Sequence, residues 1–247
     1  MDNIYIYNES FISLLNLIKY LSINKIKPGN IKSINYSPTL FENIIKLNIE
    51  TKDIIDDIIN SIGLNNFNII FSVFLSNDNN KELIIYYYYI NSLKYKEKTI
   101  YMRNLKCVYE ALKIHKYVYH EAHKYKGFVR FKELSDNILY AEIEPVNDIL
   151  LIISKHFKTR LKNEYWIIKD VKRNIFCIYD KKNIVLANSN EFKLLTNTFS
   201  NNELNYETLW KAFYKTIGID SRKNDRCRMN FMPKRYWKYI IEMSDEI

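Results

Sequence analysis

The hydrophobic period of this chain changes once, at a single glycine. Up to Lys126 apolar residues recur at helical spacing; beyond Gly127 they alternate as in strands. The stretch EAHKYKGFVRF (Glu121–Phe131) spans the switch. It reads as a helix end, an αL cap at Gly127 and the first strand of a sheet. The expected fold is therefore α+β. A largely helical N-terminal half precedes an antiparallel β-β-α-β-β sheet with packed helices, and a basic, aromatic segment ends the chain. Residues 1–102 form the helical region and 103–247 the α+β core, as two modules or one continuous domain.

Upstream, Ile4–Tyr7 reads as a strand and FISLLNLIKYL as a helix capped by Asn8 or Ser10. Pro28, Gly29 and Pro38 mark residues 22–50 as an irregular connection. Helical spacing returns over Lys52–Ile62, Glu82–Leu93 and Arg103–Lys126, whereas Asn66–Leu75 fits strand or helix equally. The run Tyr86–Tyr89 suits core packing better than base stacking. Downstream, FVRF and LYAEIEP make one hairpin around Asp136 and Asn137, and EYWIIKD with IFCIYD makes a second around Lys172–Asn174. Between them lies a helix from Asp148, capped by Asn147 or Asp148. A polar loop covers 181–205 and LWKAFYKTI forms an amphipathic helix.

Several function classes drop out. The four glycines are too far apart for a P-loop or a dinucleotide fingerprint. Three cysteines, Cys107, Cys177 and Cys227, make no CxxC pair, so neither a disulfide framework nor a zinc knuckle is indicated. They fit a reduced cytoplasm. MDNIYIYNES lacks the cationic start of a secretory signal, and no apolar run approaches the roughly 18 residues that span a bilayer. Oligomeric state has no sequence signal.

A net charge of +9 suits a polyanionic partner. Lysine is inflated by a general Asn, Ile, Lys and Tyr bias, so arginine carries more information: seven of eight arginines follow Gly127. From Lys211 to Lys238 nine basic residues face only Asp220 and Asp225, with Phe231, Tyr236, Trp237 and Tyr239 interleaved. That mixture grips phosphates and stacks on unpaired bases. The other reading is a solvated basic surface with its aromatics in the core.

Two further constellations have open readings. His120 and His123, three apart on one helix, could share a metal, but the spacing matches no strong zinc signature; His123 and His156 fit better as polar groups at the sheet surface, in reach of phosphate. Strand alternation puts Tyr140, Glu142 and Glu144 on one face. Arg130 could pair across the hairpin with Glu142 or Glu144. Alternatively these carboxylates, with Asp170 and His123, could do acid–base or divalent-metal work beside Arg130.

EAHKYKGFVRF, LYAEIEP, the HF and Arg of KHFKTR, WIIKD, LWKAFYKTI and RKN…MPKRYW, in that order, resemble the uncharacterised "probable DNA metabolism protein" family. Its members are typically encoded beside a radical SAM protein of DNA modification or repair, and a related domain occurs fused ahead of a uracil-DNA glycosylase-like domain. The resemblance covers 103–240 well; over 1–100 its anchors are the opening strand and helix and Leu40–Phe41. It implies a DNA partner and a radical SAM partner. This chain lacks CxxxCxxC, so radical chemistry would belong to that partner. Positions carried over include His123, Gly127, Arg130, Glu142, Glu144, His156, Arg160, Asp170, Arg173, Trp210, Arg222, Asn224, Arg235, Tyr236 and Trp237. Where the family has an arginine after the helix histidine, this chain has Lys124, which keeps charge but loses bidentate grip.

The leading expectation is a DNA-binding accessory protein of repair or modification, gripping DNA through Arg130, Arg160, Arg173, Arg222, Asn224, Arg226, Arg235, Tyr236 and Trp237. It would need no cofactor. The alternatives are a metal-dependent nuclease or lesion-processing enzyme using Glu142, Glu144, Asp170 and His123, and an adaptor for the radical SAM protein.

Overall fold

In a computed structural model of the chain the described residues are 3–37, 42–47, 49, 51–134, 137–188, 203–217 and 219–246. They form two compact units, 1–119 and 120–247, whose boundary lies within one long helix.

The first unit opens with β1 (Asn3–Tyr7) and α1 (Phe11–Ile23). Ser10 caps α1, its hydroxyl accepting from the Ser13 N–H at 3.1 Å. The connection expected to be irregular instead holds β2 (Asn30–Ser33) and β3 (Asn43–Lys46), which flank β1 in a three-stranded parallel sheet of order β2-β1-β3. Leu40 and Phe41 lie outside the described residues. Helices α2 (Ile54–Ile62), α3 (Leu64–Phe74) and α4 (Lys81–Tyr95) follow, then a 3-10 segment (Lys96–Tyr101) and α5 (Lys106–Phe128). The ambiguous run at 66–75 is helical. One core joins these elements, with Leu14, Ile18, Ile31, Ile58, Ile70, Ile85 and Val108 buried. Tyr86, Tyr88 and Tyr89 lie in it too, and the Tyr86 and Tyr88 hydroxyls donate to the Ile26 carbonyl and Asn66 Oδ1, both at 2.7 Å. Burial pushes the Tyr89 phenol up to about 12.

The second unit contains the end of α5, then β4 (Lys132–Glu133), β5 (Ile138–Ile143), α6 (Leu150–Arg160), β6 (Tyr165–Asp170), β7 (Ile175–Tyr179) and β8 (Ile184–Asn188). After it come α7 (Glu203–Thr216), a 3-10 turn (Asp220–Arg222), α8 (Asp225–Phe231) and two 3-10 segments (Lys234–Tyr239 and Ile241–Glu246). The α+β class is as expected, but the sheet, of order β4-β5-β6-β7-β8, is mixed. β5 and β6 pair in parallel, Ile143 opposite Asp170, because α6 carries the chain back across the sheet between them. The other three pairings are antiparallel. β8 occupies part of the expected polar loop.

The expected glycine hinge is absent. Gly127 is helical and α5 continues to Phe128, so FVRF forms no strand and pairing begins at Lys132. Positive φ at Asn137 and Asn174 marks the two expected turns, although Asp136 lies outside the described residues. Ile149 occupies the N-cap position of α6 without a side-chain bond, whereas Asn147 binds Glu121.

Candidate nucleic-acid interface

The sheet decides which carboxylates can meet. In the parallel register Glu142 faces Lys169 and Ile143 faces Asp170. Side chains alternate along a strand, so Asp170 points to the sheet face opposite Glu142. Asp170 is fully buried and takes the Arg173 guanidinium at 2.8 Å and the Arg173 backbone N–H at 3.1 Å. The same guanidinium donates to the Pro145 and Val146 carbonyls at 3.3 and 2.7 Å. Buried Glu121 holds this turn from the other side, accepting from the Val146 and Asn147 backbones and the Asn147 amide. Asp170 and Arg173 thus pin the entry to α6: the carboxylate is enclosed and the guanidinium is engaged by it and by two carbonyls. His123 is exposed on α5. Among the described residues no three His, Cys, Asp or Glu side chains converge as metal ligands.

On the other face lies a cavity of about 510 Å³, lined by Arg130, Lys132, Tyr140, Glu142, Lys169, Glu207, Lys238 and Tyr239 among others. Each cation in this lining has an acidic partner. Lys132 meets Glu207 at 2.6 Å, Lys169 meets Glu142 at 4.0 Å, and Lys238 meets Glu144 at 3.2 Å. Arg130 binds Glu242 with two nitrogens, not the Glu142 or Glu144 expected, because it leaves the end of α5 rather than a strand. The cavity is therefore rich in charge but close to neutral, and would suit a ligand carrying both signs.

Local pKa values follow from these contacts. The Tyr239 hydroxyl and the Lys238 ammonium hold Glu144 below the usual carboxylate range. Burial, then the Glu142 carboxylate, pushes the Tyr140 phenol far up, so Tyr140 stays protonated and donates to Glu142 at 2.7 Å. Burial alone would raise Glu242. Hydrogen bonds from Arg130, its own backbone and the Trp210 indole outweigh that and keep it low.

The basic tail is built differently. Asn224 caps α8, its side-chain oxygen accepting from the Cys227 N–H at 2.9 Å. That fold exposes Arg222, Lys223, Arg226, Lys234 and Arg235. The acid among them, Asp225, is taken by Arg228 at 3.1 Å. Tyr236 and Trp237, expected to stack on bases, are each 3% exposed. Tyr236 packs against Tyr125 and Phe128; the Trp237 indole donates to the Met232 carbonyl at 2.9 Å under the Arg228 guanidinium. Their π faces are spent internally, whereas Phe231 in the same tail is 75% exposed and open to stacking. Arg160 is exposed at the end of α6. Glu121 and Lys169 stand inside the quoted stretches EAHKYKGFVRF and WIIKD without an assigned role, and Glu242 stands in none; only tertiary contact reveals what they bind.

The family model of a domain of unknown function, DUF4130, matches residues 79–242. The chain belongs to this family. The DUF4130 match runs from just before α4 into the last 3-10 segment, so it takes in the cavity, the basic tail and the Glu242 carboxylate. No curated protein and no solved structure matches the chain. Among the described residues no helix is long and apolar enough to cross a membrane.

Proposed function

We propose that this DUF4130 protein is a DNA-binding accessory factor of DNA repair or modification, acting in the cytoplasm beside a radical SAM enzyme. The observation that carries the reading is the exposed run Arg222, Lys223, Arg226, Lys234 and Arg235, whose single interleaved acid is already paired. Clustered guanidinium and ammonium groups at the surface suit the phosphate backbone, and arginine grips it bidentately. The radical SAM partner rests on the family resemblance alone. An enzymatic role draws less support, because Asp170 is enclosed and lies across the sheet from Glu142.

A second reading, a protein adaptor for that partner, is favoured by the apolar row Tyr206, Leu209, Phe213 and Ile217, exposed along and just beyond α7. One experiment separates these roles. Purified protein meets single-stranded, duplex and uracil- or UV-damaged oligonucleotides, with and without Mg²⁺ or Mn²⁺. The accessory reading expects binding that weakens steeply with salt and leaves the DNA intact. Salt-insensitive binding or none overturns it, and absence of binding together with a DNA-free complex with the radical SAM enzyme selects the adaptor. Metal-dependent product lost in Glu142→Ala makes the protein an enzyme.

A further inference from the structure

Strand register sets the floor of the cavity. Lys132 lies opposite Tyr140 and Glu142 opposite Lys169, so these four side chains share one sheet face. The chain from Lys238 to Ile241 supplies a wall. The charged groups of this lining are not equally occupied. Lys132, Lys238 and Arg130 each reach a carboxylate within hydrogen-bond distance. The Lys169 ammonium does not. Its acidic neighbour is Glu142, at 4.0 Å, and it lies over the Phe176 ring at 5.4 Å. Among the described residues no acceptor comes within hydrogen-bond reach of it.

Glu142 is half used. The Tyr140 hydroxyl donates to its Oε1 at 2.7 Å, while Oε2 takes no hydrogen bond from the described residues. The Lys169 and Glu142 side chains are 26% and 39% exposed, so both are largely covered yet reachable from the cavity. A covered charge without its hydrogen bonds is costly unless another group completes it. A donor and an acceptor, both unfilled and of opposite charge, thus stand side by side on the floor. The cavity, of about 510 Å³, has the size of a small-molecule site.

We propose that this cavity binds a small zwitterion, an α-amino acid with an apolar side chain. The ligand's carboxylate accepts from the Lys169 ammonium, and its own ammonium donates to Glu142 Oε2. Its side chain lies against Ala141, Ile240 and Ile241, the apolar part of the lining. The 4.0 Å gap keeps the protein's two charges from closing on each other. An ammonium and a carboxylate carried on one carbon bridge that gap with two charge-assisted bonds. A ligand of a single charge completes one group and leaves the other unfilled. No lining residue belongs to the exposed run Arg222, Lys223, Arg226, Lys234 and Arg235, so the site stands independently of DNA binding.

The test is calorimetric titration of the full-length protein with L-leucine, without DNA. Saturable binding is expected. Leucine amide lacks the carboxylate and N-acetylleucine lacks the ammonium, so each should bind on the order of tenfold more weakly. γ-Aminobutyrate, whose charges stand farther apart, should also bind more weakly than leucine. Lys169→Met and Glu142→Gln should each lower leucine affinity on the order of tenfold. Lys238→Gln should leave it unchanged, because that cation is already held by Glu144. Thermal unfolding checks that each variant is folded, and the analogue series on the wild-type protein decides if one is not. No saturable leucine binding, or equal binding of either single-charge analogue or of γ-aminobutyrate, overturns the site. A loss in Lys238→Gln as large as in Lys169→Met does so too. Leucine binding by a protein that ignores DNA upholds the site and overturns the accessory reading; DNA binding without leucine binding does the reverse.

Discussion

Glu242 joins three parts of the second unit through one carboxylate. It takes two nitrogens of Arg130 and the Trp210 indole N–H, the latter at 2.9 Å, and its side chain is only 5% exposed. Its pKa in the fold lies below the unfolded value of about 4.3. A depressed carboxylate contributes stability that is fully present above the unfolded pKa and lost as pH falls through the folded one. Glu242→Gln should therefore cost about 1–3 kcal/mol at pH 7, the range for breaking a partly buried charged hydrogen bond. In denaturant unfolding the gap from wild type should narrow below about pH 4. An unchanged gap at pH 3.5 would contradict the assigned role. Nothing in the local sequence marks Glu242, since it precedes a Met and a short acidic end. Arg130 was visible as a candidate only because it stands in a recognisable stretch, and its partner lies 112 residues away.

At the scale of elements, periodicity was a good guide to α1, α2, α4 and the hairpin strands β6 and β7. It failed where length or continuity carried the information. The four-residue strands β2 and β3 are too short to show alternation, and parallel pairing of β5 with β6 depends on the connection rather than on either strand. Gly127 is the instructive case, because glycine after a long helix usually marks its end. Here the backbone stays helical and Phe128 closes the helix by packing on Tyr236. A Cβ added at Gly127 would meet no atom within 4 Å. Gly127→Ala should accordingly stabilise the protein by about 0.5–1 kcal/mol, chiefly by restricting the unfolded chain. A loss of stability in thermal or urea unfolding would mean that the position needs glycine after all.

At the scale of the molecule, charge is unevenly shared. Residues 120–247 hold 23 Lys and Arg against 17 Asp and Glu, a net +6 of the chain's +9. The sequence made this asymmetry legible, but not which cations reach solvent. Arg130 and Arg173 are occupied by Glu242 and Asp170, and Arg228 covers Trp237 while pairing with Asp225. Arg222, Lys223, Arg226, Lys234, Arg235 and Arg160 reach solvent. If about six such groups neutralise duplex phosphates, log K should fall against log salt with a slope of about −5, close to a thousandfold between 50 and 200 mM. Replacing Arg222, Lys223 and Arg226 with Gln should flatten the slope by about 3, because three released counterions are removed. Arg173→Gln should leave the slope unchanged while destabilising the fold, since its guanidinium is bound to Asp170 and two carbonyls. Equal slopes for the triple variant and wild type would place the phosphate contacts elsewhere.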